Sequence, residues 1–186
     1  VFWLLMLMML GAGAAENTVS QWASAFAEEG LGVTKTVGDL AGPMAFAALM
    51  GTVRLIYGKW GHKLHLEKCM LGSSLLCVAA YLAIALVPDP RLALVGCAVC
   101  GFSVGILWPG TFSKGSAAIP KGGTVMFALF ALAGDLGCSA GPTLAGMVTR
   151  VCDGNMRRGI LAGIVFPLLL VLCLVFGKKR KAAAGI

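Results

Sequence analysis

The sequence is poor in charge. Charged residues make up 12% of its 186 residues, where an ordinary soluble domain carries about 25%. Only eight acidic residues, two histidines and two tyrosines occur. Too few polar side chains remain to cover a water-soluble fold of this length. A composition that is 59% hydrophobic, with 26 glycines besides, is equally wrong for a disordered chain. Chemical signatures are missing too: no HExxH, no nucleophile elbow and no phosphate-binding glycine loop. Seven cysteines are present, mostly within apolar runs. The one CxxC, Cys97 to Cys100, has no second pair and no nearby histidine to complete a zinc site. The cysteines therefore read as small apolar packing residues. No cofactor or metal is expected, and no enzyme, because a membrane enzyme would need a convergent catalytic set.

The net charge of +7 does not point to nucleic acid. Four basic residues, Lys178-Lys179-Arg180-Lys181, directly follow an apolar stretch. There they act first as a topology signal and a contact for anionic headgroups. The partner this composition implies is the lipid bilayer.

A spanning helix needs about 20 largely apolar residues to cross about 30 Å of hydrocarbon. Six stretches reach that length, at about 2–26, 37–57, 68–87, 92–113, 124–149 and 158–177. The expected fold is all-α, a polytopic membrane helix bundle, because lipid leaves a free backbone N–H or C=O unpaired and these runs are too long for barrel strands. Residues 1–177 form the bundle and 178–186 a basic cytoplasmic tail. The connectors carry the turn residues, among them Pro88-Asp89-Pro90 and Cys152-Asp153-Gly154-Asn155.

Basic residues set the orientation. Arg54, Lys59, Lys63, Lys68, Lys114, Lys121 and the tail fall on one side, against Lys35, Arg91, Arg150, Arg157 and Arg158 on the other. The richer side should be cytoplasmic, with both chain ends inside, in the cytoplasmic (plasma) membrane. The chain opens at Val1 within an apolar run, without the basic region of a signal peptide. A fragment of a longer protein is expected.

Gly38-Asp39-Leu40-Ala41-Gly42-Pro43 opens the second span, and its elements return in the fifth as Gly134-Asp135-Leu136, then Ala140-Gly141-Pro142. Three spans separate the copies, so they cross in opposite directions. That is the pattern of a 3+3 inverted repeat, common among secondary transporters.

Charges within spans carry the functional hypothesis. A charge at mid-span costs at least about 2.5–3.5 kcal/mol, so it normally faces a cavity or a partner. Glu16 and Asp135 are the acids deepest in the spans, and are candidates for proton coupling. Asp39 lies near a helix start, where capping already explains an acid, and is a gating candidate. Asn17, Ser20, Gln21 and Ser24 share one helical face beside Glu16, with Trp22 adjacent. Amides suit hydroxyl-rich solutes and an indole can stack on a sugar ring, so Asn17, Gln21, Trp22 and Trp108 are candidate solute contacts. Gly11 and Gly13 are expected to loosen the first helix. Pro109 should break the fourth near Gly105–Trp108, and Pro43 and Pro142 should bend theirs. Arg54 and Lys114 sit near span ends, where they either snorkel to headgroups or form gating ion pairs with acids of other helices. His62 and His65 belong to a solvated loop.

Taken together, the six-span unit, the repeat and the basic loop after the second span resemble the C-terminal half of a major facilitator superfamily transporter. Asn17-Gln21-Trp22 and Gly134–Pro142 are similar to segments of the fucose-permease-like sugar and solute porters. Gly58-Lys59-Trp60-Gly61-His62-Lys63 is similar to the family's loop signature, in which Asp, a basic residue, any residue, Gly and two basic residues follow one another. Gly58 stands where the acid belongs. The resemblance implies half of a 12-helix transporter. The expected function is secondary active transport of a small polar solute, sugar-like and proton-coupled, by rocking against a missing N-terminal six-helix half or a homodimer partner. The alternative is a non-transporting polytopic protein, a sensor or assembly subunit.

Overall fold

The computed structural model describes residues 1–25, 28, 32 and 34–183, all helix or short connector among those residues. The helices are α1 (Phe2–Ser20), α2 (Lys35–Trp60), α3 (Leu66–Leu86), α4 (Pro90–Val104), α5 (Leu107–Ala118), α6 (Gly123–Val151), α7 (Met156–Gly163) and α8 (Val165–Ala183). They make six segments long and apolar enough to cross a membrane: Phe2–Ala25, Thr36–Lys63, Leu66–Leu86, Arg91–Ala118, Gly123–Val151 and Met156–Lys178. The second and fourth run several residues past their apolar stretches. A helix keeps its hydrogen bonds when it emerges from hydrocarbon, so basic residues such as Lys59 and Lys114 lie on continuous helix. Many large apolar side chains are exposed, Trp3, Leu55 and Val151 among them. A bundle whose solvent is hydrocarbon tolerates that readily.

Three spans are interrupted, and two of the interruptions share one cause. The fourth breaks between Val104 and Leu107, as the proline predicts. Pro109 has no N–H for the carbonyl four residues back, and its ring crowds that carbonyl; the residue there is Gly105. The sixth breaks at Ile164, and Pro167 stands four residues after Gly163 in the same way. Pro43 and Pro142 follow Asp39 and Cys138 at that spacing, and α2 and α6 stay helical through both. A proline breaks these helices where a glycine precedes it by one turn. The first span breaks at Gln21–Trp22, where the amide of Trp22 bonds to Val19 rather than to Thr18. It does not loosen at Gly11 or Gly13. Both glycines are buried, and the space beside them is filled by Leu170 and by the backbone of Gly134, so they serve close packing.

The first span packs along the fifth and the second along the fourth. The third lies against the fourth and the sixth, and the first against the sixth. Exchanging the first three spans with the last three maps these pairings onto one another, as an inverted repeat requires; among the described residues, the contact between the fifth and sixth spans lacks a comparably extensive counterpart. Burial follows the same exchange. Of the most apolar stretch of each span, 56% is buried in both the first and the fourth, but 12% in the second and 28% in the fifth. Met8, Met9, Tyr81, Leu107, Phe130 and Leu170 fill the core.

Polar contacts tie the two ends of the bundle. At the end where α2 meets α3 and α5 meets α6, Lys114 Nζ lies 2.8 Å from Glu67 Oε1, and Tyr57 donates to Ser113 Oγ at 2.8 Å. At the opposite end, Arg157 of α7 donates to the carbonyls of Ile84 at 3.2 Å, of Val87, and of Pro88 at 2.9 Å. These carbonyls end α3 or follow it, where no further turn of helix supplies donors. His62 and His65 are exposed in the short connector.

Candidate functional site

The first span turns polar after Ala15, and α1 carries those residues to the side shared with α2 and α6. Glu16 is half-buried, and its Oε2 meets Arg54 Nη2 of α2 at 3.3 Å. The acid partner of Arg54 is thus a residue of another span, as that of Lys114 is, so neither cation only snorkels. One residue on, Asn17 Nδ2 donates to Cys138 Sγ of α6 at 2.9 Å. Asp135 lies three residues before Cys138 on α6, on the same side of the helix. Asp135 itself is exposed on α6, and Ser139 and Thr143 continue its face, both exposed. The sequence-derived pair Glu16 and Asp135 therefore borders one polar face, joined through Asn17 and Cys138.

Other candidates fall elsewhere. Gln21 is exposed at the break in the first span, and Trp22 is half-buried against the core, as Trp108 is. Asp39 lies in the first turns of α2, and its side chain is outside the described residues. Pro43 and Pro142 are half-buried within unbroken helices.

Trp108 and Pro109 meet Arg54 in a cleft of about 470 Å³ between α2 and α5, lined also by Tyr57, Gly58 and Phe112. The ring of Trp108 rests on Gly134 of α6. Phe112 stands 6.3 Å from it, ring to ring, and leads on to Phe127 and Phe130. The indole Nε1 is buried with no hydrogen-bond partner among the described residues. Behind Glu16, the fully buried Tyr81 of α3 donates to the carbonyl of Ala15 at 2.8 Å, and Thr18 to that of Ala14 at 2.7 Å. The Tyr81 bond ties the polar half of the first span to the third, while the Thr18 bond stays within α1.

Tyr57, Phe112, Cys138 and Tyr81 were invisible as site residues in the sequence, since each matters only through a partner on another span. A tyrosine inside an apolar run was the one available signal, because a buried hydroxyl must find an acceptor.

Six helices long and apolar enough to cross a membrane, with charged residues inside the spans, make a polytopic helical bundle. Residues 1–142 match the family model of the Major Facilitator Superfamily. The chain belongs to that superfamily, whose members are transporters rather than enzymes. No curated protein and no solved structure matches the sequence.

Proposed function

We propose that the chain moves a small polar solute across the bilayer by alternating access, coupled to protons. The observation that carries this is the exposed charge within the spans. Arg54 and Asp135 are exposed and Glu16 half-buried, all on α1, α2 and α6. A hydrocarbon-facing charge costs at least about 2.5–3.5 kcal/mol, so a face bearing three is best explained as the wall of an aqueous cavity. Carboxylates on such a wall can take up and release protons from either compartment. The amides of Asn17 and Gln21 and the ring of Trp108 suit a hydroxyl-rich solute, a sugar or a close relative.

The second and fifth spans, the least buried, are the surfaces on which we place a second six-helix bundle, either an N-terminal half or another copy of the chain. This unit, residues 1–177, would rock against it around the cavity. The basic ends of the helices and the 178–186 tail support a reading with both termini in the cytoplasm and the protein in the plasma membrane.

The test is uptake in proteoliposomes with an imposed pH gradient, using a panel of labelled sugars. Uptake should follow the gradient in the native protein. Glu16→Gln and Asp135→Asn should each flatten its pH dependence, and unchanged pH dependence in both would overturn the coupling.

A further inference from the structure

We propose that the cleft between α2 and α5 is a subsite for a carboxylate carried on a ring, anchored by Arg54. The inference rests on the transport reading for what the site serves, and names the class of solute. In the cleft lining of Arg54, Tyr57, Gly58, Trp108, Pro109 and Phe112, the arginine is the only ionised residue. A guanidinium offers five N–H donors in a planar fork that matches a carboxylate. Glu16 engages one nitrogen, Nη2, at 3.3 Å, and the Arg54 side chain stays 42% exposed. Among the described residues it has no second acceptor, so donors remain for one.

A further feature of the lining fits an anion. Gly58 lies four residues after Arg54 on the same helix. An acid there, as the loop signature has, would face Arg54 at the i, i+4 spacing and compete for it. Space does not demand the glycine, because an added Cβ would meet nothing within 4 Å. Its consequence is electrostatic: Arg54 keeps donors for the solute. The rings of Trp108, Phe112 and Tyr57 give the rest of the lining an apolar surface against which either a pyranose or an aromatic ring can stack.

The test is calorimetric binding to the purified full chain in nanodiscs, with two pairs of probes: glucuronate against glucose, and benzoate against benzyl alcohol. At least one carboxylate should bind tenfold or more tighter than its neutral counterpart, and the pair that does so identifies the ring. Arg54→Gln should abolish the preference. Because that variant also strips Glu16 of its partner and can misfold, Gly58→Asp is the second arm. It adds an acid in open space and should abolish the preference as well. Equal binding of acid and neutral probes by the native chain, or a preference that survives Gly58→Asp, overturns the subsite. A carboxylate preference without uptake in proteoliposomes sinks the transport reading and leaves the subsite standing. Uptake of a neutral sugar without carboxylate preference does the reverse.

Discussion

The indole of Trp108 lies on Gly134: a Cβ built at that glycine would come within 2.4 Å of Trp108 Cη2. Gly134 also faces Gly13, whose own Cβ would strike the Gly134 carbonyl oxygen at 2.1 Å. Two residues without side chains, Gly13 and Gly134, thus let α1 and the cleft wall close on the same point of α6. Gly134→Ala should displace the indole and destabilise the protein by about 1–3 kcal/mol, the usual cost of overpacking. Gly146→Ala on the same helix meets nothing within 4 Å, and should stabilise by up to about 1 kcal/mol through helix propensity alone. Thermal unfolding in detergent would compare the two, and a stabilised Gly134→Ala would contradict the packing.

Glu16 and Arg54 depend on each other. Replacing either leaves a charge unpaired inside a span, whereas replacing both removes the problem. Glu16→Gln and Arg54→Gln should each lower the yield of folded protein, and the double variant should recover part of it. The interaction energy should fall at about 0.5–3 kcal/mol, as for contacting residues in one network. Strictly additive losses by fluorescence-detected size exclusion would mean that the pair is incidental.

Arg157 closes the end of α3 by donating to the carbonyls of Ile84, Val87 and Pro88. Arg157→Ala should cost about 1 kcal/mol, the net worth of hydrogen bonds whose acceptors water can partly reach once the fork is gone. Arg157→Lys should fall between the two, because an ammonium keeps the charge without the fork. A melting series of the three proteins checks that order.

Pro109→Ala restores an N–H that the carbonyl of Gly105 can accept. The amides around 105–109 should then exchange with deuterium more slowly, since continuous helix protects them. Uptake should fall if compliance at this break matters to transport. Unchanged exchange would show that Gly105 alone holds the helix open.

The six spans were legible because the bilayer imposes a length and a composition that no connector mimics. The break before Pro109 was legible because a missing donor acts locally. The break at Ile164 carried the same signal, Gly163 one turn before Pro167, and could have been read from it. Pairings were out of reach. Arg54 announces a need for an acid, but Glu16 lies 38 residues away, and only the packing of α1 and of α2 against the fourth span brings them together.

The breaks in the first and fourth spans have a geometric consequence. The first span breaks after Ser20 of Phe2–Ala25, close to its end, and the fourth after Val104 of Arg91–Ala118, at its midpoint. The two soft joints therefore lie at different depths of the bilayer. Bending at one need not disturb the backbone hydrogen bonds around the other, so a wall so jointed can flex near one membrane surface while its middle stays rigid.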